Sequence, residues 1–375
     1  MKYMPKDNKQ LMLNLPFSDD LFNKVLQNQQ DITDTFDRDM GGIPKDLSEA
    51  STATTPHLQL MRTLMEKHRI SPNDDFSHVE YGLIDILEWA KADDGNMKKC
   101  LESGDVAAVD GTPILPPQRY LTAQIYACAV GYITNRTPLN LTANVTKTKA
   151  TAEYTGKIDD LLQFIKESEK IPGGSSWANA FREYKERELA LTCPVPYVII
   201  DGPVITQNLF TRRQGRDLLT KLYKNNTKEY YGVIKDIRDS DAETRFAARA
   251  LKQNEAYISH TLFFQLKDRM LKDYQGSVSK FLTSIGQDIL RGVFKVGQKA
   301  FGFQCHRKHF KNMISVLFWG QNEQPGYEIP FLQVQIDAQI RGLYRPAEIK
   351  TAIESIIAEG GDDAFFDELD ERDER

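Results

Sequence analysis

Val106-Ala-Ala-Val-Asp-Gly-Thr112 and, farther along, Tyr197-Val-Ile-Ile-Asp-Gly-Pro203 are apolar runs that each end in an aspartate followed by glycine. A short apolar run bounded by turn formers reads as a buried strand, and glycine lets the backbone turn sharply where the carboxylate emerges. A lone Asp-Gly is an ordinary turn signal. Two of them, each closing an apolar strand, would set two carboxylates side by side if one sheet holds both.

The chain between them predicts such a sheet. After the loop Thr112 to Pro117, the run Tyr120 to Ile133 is rich in strand-forming and small residues, and Leu141, Ala143 and Val145 alternate with polar neighbours. Three sequential strands result, most simply an antiparallel meander. Leu161, Leu162, Phe164 and Ile165 then share one side of a helix over Ile158 to Ser168, which Pro172-Gly-Gly174 closes. Ser175 or Ser176 caps the next helix, which runs through Trp177, Phe181, Tyr184 and Leu189 to about Thr192. A helix from about Leu209 to Asn225 and a strand over Tyr230 to Lys235 follow the second aspartate. The succession argues for a mixed α/β sheet flanked by helices, with both Asp-Gly turns at carboxyl ends of strands, where open α/β sheets build their sites.

Outside this core the pattern is more helical. Residues 1 to about 60 mix short apolar groups with polar stretches, with a helix near Ser18 to Asn28. Leu58 to Met65 and Leu83 to Trp89 read as further helices. Beyond Asp239 the chain reads as helical through roughly Lys272, Met313 to Trp319 as a strand, and Pro346 to about Glu359 as the last helix. The division expected is a helical, partly irregular N-terminal region over 1–104, the main α/β domain over 105–360 with a helical and basic-aromatic insertion at about 240–312, and an acidic tail over 361–375.

The 375 residues, with 41% hydrophobic and 27% charged side chains, match an ordinary globular protein with room for a sizeable core. No apolar run approaches the roughly 18 residues of a spanning helix, and the first residues lack the apolar core of a signal peptide, so a cytoplasmic protein without membrane partners is expected. The four cysteines lie far apart with no Cys-x-x-Cys pair, which excludes a disulfide framework and a zinc knuckle as readings. The net charge of −5 conceals a tail with eight acids against two arginines, a net of −6 that leaves the remainder at +1. Nucleic-acid affinity must therefore come from local patches.

Two such patches exist. Between Ile289 and Asn322 there is no acid, while Arg291, Lys295, Lys299, Arg307, Lys308 and Lys311 interleave with Phe294, Phe301, Phe303 and Phe310. The cations suit phosphates, and the phenylalanines are either stacking platforms for unpaired bases or core. A second basic face, Arg212, Arg213, Arg216, Lys221, Lys224 and Lys228, follows Asp201 directly. Converging carboxylates favour hard divalent cations, and a pair of these activates water and stabilises the leaving oxygen of a phosphodiester. The helix before the second aspartate adds Glu183, Glu186 and Glu188, which read equally as surface charges beside Arg182, Lys185 and Arg187.

Ala107-Ala-Val-Asp-Gly-Thr112, the acid-bearing helix before Val198-Ile-Ile-Asp-Gly-Pro203, and Tyr231-Gly-Val-Ile-Lys-Asp-Ile-Arg-Asp-Ser240 together resemble the successive motifs of NurA nucleases. The resemblance spans roughly residues 105 to 240. It implies an RNase H-like fold and a manganese- or magnesium-dependent nuclease acting on DNA ends and single strands, in recombination repair or antiviral defence. It also implies a homodimer partnered by a HerA-type hexameric ATPase. Carried over, Asp110 and Asp201 are metal ligands, with Glu183 favoured as the helix ligand and Glu186 next. Lys235 matches the lysine of the Gly-Val-Val-Lys-like strand. NurA proteins generally close with a Tyr-Pro segment and a nearby histidine or acid; here Gly342-Leu-Tyr-Arg-Pro346 separates the pair and no histidine follows. Asp337, as a metal ligand, and Tyr344 are the available substitutes. One alternative is an adaptor that keeps the fold and binds DNA without cleaving it. Another is an actin-like ATPase, since Val109-Asp-Gly-Thr112 is similar to an Asp-x-Gly-Thr phosphate loop, but its glycine follows the aspartate directly and no second glycine-rich loop accompanies it.

Overall fold

The computed structural model describes residues 43–120, 123–149, 175–237, 240–272 and 276–322, together with Tyr274, Ile336, Gln339 and Thr351. In chain order the elements are α1 (Ile43–Lys67), β1 (Arg69–Ile70), β2 (Gly82–Asp85), α2 (Ile86–Ala92), α3 (Asn96–Ser103), β3 (Val106–Tyr120), β4 (Ala123–Thr134) and β5 (Asn140–Lys149). Then come α4 (Ser175–Thr192), β6 (Tyr197–Asp201), α5 (Gln207–Phe210), α6 (Arg213–Lys224) and β7 (Glu229–Ile234). The remainder is α7 (Ala242–Ala250), β8 (Glu255–Thr261), α8 (Leu262–Lys272), α9 (Ser277–Ile285), β9 (Ile289–Lys295), β10 (Phe301–His306) and α10 (Phe310–Asn322). The expected helices at Ser18–Asn28, Ile158–Ser168 and Pro346–Glu359, and the acidic tail, lie outside the described residues.

The chain divides into two compact units, one from residues 1–89 and 236–302, the other from 90–235 and 303–375. In the second unit the strands run in the order β10-β7-β6-β3-β4-β5. β3, β4 and β5 form the antiparallel meander, with Val109 opposite Tyr132 and Cys128 opposite Asn144. β6 lies parallel to β3, and β7 parallel to β6. A meander followed by two strands parallel to its first, each reached through helices, is the RNase H-like arrangement. Local chemistry fixes the joints. Gly104 takes φ +84 after α3 and donates back to Leu101 O, and α4 stops at Thr192, just before Pro194 and Pro196.

In the first unit the order is β1-β2-β8-β9. α1 packs Met61 and Met65 into a cluster with Leu83, Ala247, Leu251, Tyr257 and Val293. The Asp241 side chain accepts from Thr244 N at 2.8 Å, which caps α7.

Three expectations are corrected. Met313 to Trp319 is helical, within α10. Met313, Ile314, Val316 and Leu317 are all fully buried, and an element buried on every side leaves no periodicity to separate helix from strand. The helix expected through Lys272 is broken by β8, whose seven residues are all buried. Its polar members hid it: Glu255 accepts from Arg62 and from Lys252 N, and Ser259 donates to Arg291 O. The N-terminal helix expected over Leu83 to Trp89 begins as strand β2, and α2 starts only at Ile86.

Candidate active site

The site forms where β3 and β6 run side by side in the second unit. Their register pairs Val106 with Tyr197 and continues to Val109 with Ile200, so the next step sets Asp110 beside Asp201. Register partners on parallel strands present their side chains to the same face. Asp110 is buried at 4% exposure, and the Asp201 side chain is 28% exposed.

The two glycines that follow serve different purposes. Gly202 takes φ +83 and makes the expected turn. Asp110, however, does not end its strand: β3 continues to Tyr120, and Asp110 and Gly111 pair with Gly131 and Val130 of β4. Gly111 instead provides clearance. A Cβ there would lie 2.7 Å from Glu186 Oε1 and 3.1 Å from Arg182 Cγ. α4 therefore rests on β3 at the residue after the aspartate, and any larger residue there would have to displace Glu186 or Arg182.

The close approach selects between the helix glutamates. Glu186 is buried beneath α4 at 3% exposure, near Asp201 and close enough to Asp110 to raise its pKa. Glu183 faces the segment after β6, accepting from Thr206 Oγ1 and from Asn208 Nδ2 at 2.9 Å. Arg187, 1% exposed, pairs with Glu186. It also donates to three backbone carbonyls, Pro203 O at 2.6 Å, Glu183 O at 3.3 Å and Val204 O at 3.4 Å. Arg182 Nε stands 3.6 Å from Glu186 Oε1, and Arg182 Nη1 donates to Gly111 O at 3.3 Å. Lys235 Nζ contacts Asp201 Oδ2 at 3.1 Å.

Electrostatics follow from this crowding. Burial first, then Asp201 and Glu186, push Asp110 up to about 8, against the pull of Lys235 and the Gly111 N–H. Burial raises Glu186 to about 7, opposed by Arg187 and Arg182 and reinforced by Asp201 and Glu183. Carboxylates forced together out of water hold protons that a cation displaces.

Among the described residues no group of three histidine, cysteine, aspartate or glutamate side chains is gathered tightly enough to form a metal cage. The donors present still fit a hard divalent ion of the magnesium type, which is commonly held by one or two carboxylates and completed by water and substrate oxygens. Asp110 and Asp201 are such a pair.

The other expected residues are dispersed. Asp337 and Tyr344 lie outside the described residues. Arg212 and Arg213 are exposed beside and on α6, whereas Arg216 is half-buried and donates to Phe210 O at 2.9 Å. Lys299 and Lys308 are exposed; Lys308 Nζ reaches Asn226 Oδ1 at 3.3 Å, and Arg307 is half-buried. Arg291 lies within β9, opposite His260, where burial lowers its pKa against the attraction of Asp241, and Lys295 Nζ donates to Leu251 O at 3.5 Å. Phe294, Phe301, Phe303 and Phe310 are all buried, which corrects the stacking role considered for them: they are core.

Sequence reasoning missed Arg182 and Arg187, and the clearance role of Gly111. A signal was present. Ala178, Arg182, Glu186 and Ala190 recur every fourth residue, and small residues flanking an acid on one helical stripe mark a face pressed against a sheet.

No family model and no curated protein matches the chain. Among solved structures it is similar to NurA with manganese, at 9% identity over 73% of this chain and 96% of that one, with a TM-score of 0.42. It is also similar to the NurA nuclease from Sulfolobus solfataricus, at 10% identity over 92% and 97% of the two chains, TM-score 0.38. Endonuclease V from Bacillus subtilis is a third, at 11% identity over 76% and 90%, TM-score 0.30.

Proposed function

We propose that the chain is a divalent-metal-dependent DNA nuclease of the NurA kind, with Asp110 and Asp201 at its centre. The observation that carries this reading is the β3–β6 register, which brings two aspartates to one face with a buried glutamate beside them. A bound manganese or magnesium pair would neutralise the scissile phosphate and activate the attacking water.

The chain's own groups prepare that chemistry. Asp110 and Asp201 present the carboxylate oxygens, and Glu186 stands as the helix ligand in preference to Glu183, which Thr206 and Asn208 already engage. Asp337 remains the C-terminal candidate. Lys235 holds Asp201, and its ammonium would be available to a phosphate oxygen or to the attacking water. Arg212 and Arg213 offer an exposed cationic approach for the DNA backbone. Homodimerisation, a HerA-type translocase partner and a role in repair or defence rest on the motif resemblance.

The test is degradation of end-labelled single- and double-stranded DNA with manganese or magnesium, with and without such a translocase. Asp110→Asn and Asp201→Asn proteins should stay folded and lose cleavage; unchanged cleavage in both would remove the assignment. A second reading, a DNA-binding subunit that does not cut, draws on the interrupted closing segment, in which Arg345 separates Tyr344 from Pro346. DNA binding without cleavage under every divalent metal, alone or with the translocase, would favour it.

A further inference from the structure

Glu186 has two arginines, and only one of them is needed as its counter-ion. Arg187 touches the carboxylate, is fully buried, and directs its other donors at Pro203, Val204 and Glu183 carbonyls. Nothing of it remains to face outward.

Arg182 differs in each respect. Its Nε lies 3.6 Å from Glu186 and makes no hydrogen bond. Its side chain is 30% exposed, and the donation from Nη1 to Gly111 O at 3.3 Å sets the guanidinium beside the Gly111–Thr112 peptide, one residue beyond Asp110. Against the cost of burial, Glu186 first, then Tyr126, Glu183 and Asp110 favour its charge. A permanently cationic, planar group with further N–H donors beside a carboxylate pair matches the one ligand the carboxylates repel on their own: a phosphate.

We propose that Arg182 is a phosphate-contacting residue, donating to a non-bridging oxygen of the phosphodiester presented at Asp110 and Asp201. This rests on the nuclease reading of the acid pair. Asp110 and Asp201 would hold the cations that meet the phosphate, and Arg182 holds a non-bridging oxygen on the α4 side, fixing the linkage before attack. Lysine would keep the charge without the fork geometry.

The experiment measures binding of a short single-stranded DNA in calcium, so that cleavage does not intervene, with one neutral methylphosphonate linkage moved along the strand. In the wild type, one linkage should show a loss of about 10- to 100-fold on neutralisation. In Arg182→Lys and Arg182→Ala the penalty at that linkage should shrink by about tenfold, with the profile elsewhere unchanged. The manganese-induced rise in melting temperature should persist in both variants. An identical linkage profile in wild type and variants would overturn the assignment, as would loss of the manganese effect in both variants, which would make Arg182 a counter-ion of Glu186 only. Absence of metal-dependent cleavage in the wild type would instead overturn the nuclease reading and this assignment with it.

Discussion

Replacing Gly111 by alanine tests the contact on which the candidate site is built. The new methyl carbon would stand 2.7 Å from Glu186 Oε1 and 3.1 Å from both Glu186 Cγ and Arg182 Cγ. Ordinary contact requires several tenths of an ångström more at the first of these. The carboxylate is the far end of a flexible side chain, but Arg187 holds it in a buried ion pair, and the two Cγ atoms belong to the helix side. Overpacking of this kind costs about 1–3 kcal/mol, and alanine in a strand recovers roughly 0.5–1 kcal/mol of it, leaving a net loss of about 1–2 kcal/mol. With a urea slope of about 2 kcal/mol/M, the midpoint should fall by roughly 0.5–1 M. Cleavage should fall further, by about 10²-fold, because α4 and Glu186 shift relative to the aspartates. Gly95→Ala is the control. Its Cβ meets nothing within 4 Å, but φ is +70, so a loss of about 1 kcal/mol should come with full activity. A Gly111→Ala protein with wild-type midpoint and wild-type cleavage would refute the clearance argument.

Other outcomes follow from the same geometry. Asp110 and Glu186 keep protons in the folded state that the unfolded chain has lost, so their contribution to the stability of the metal-free protein should be fully present below the ordinary carboxylate range and be lost as pH rises through about 7 to 8. Melting temperatures from mildly acidic to mildly alkaline buffer would read this slope, which Asp110→Asn should flatten; a level wild-type curve would contradict it. Arg187→Met should destabilise by about 3–5 kcal/mol in urea titrations, since it leaves the Pro203, Val204 and Glu183 carbonyls without their donor, and a change below about 1 kcal/mol would deny its clamping role. Charge reversal at Arg212 and Arg213 should weaken DNA binding uniformly across sequences and flatten the salt dependence by about 0.7 to 0.9 for each phosphate no longer neutralised; an unaltered slope would place the DNA elsewhere.

Much of the second unit is legible in the sequence because its elements advertise themselves locally. Val106–Val109 and Tyr197–Ile200 are continuous apolar runs, as expected of strands covered on both faces. What local pattern cannot report is which neighbour a residue meets. Distance along the chain favours Glu183 over Glu186, yet the helical phase and the absence of a side chain at Gly111 decide which acid lies near Asp110. The same blindness explains α10 and β8. Their surroundings, apolar on every side for one and supplied with polar partners for the other, remove the alternation on which period-based reading depends.

The placement of Asp110 within its strand gives the two aspartates unequal freedom. Both aspartates have a paired strand on the far side, β4 through Gly131 for Asp110 and β7 through Val233 for Asp201, but β3 continues past Asp110 whereas Asp201 is the last residue of its strand and leads into a left-handed glycine. The pair is a vice with one fixed jaw and one adjustable jaw. On the proposed function, changes in ion size or substrate position would be absorbed at Asp201 and the turn behind it. Amide exchange should register the same asymmetry, with the backbone at Asp110 opening only when the sheet does.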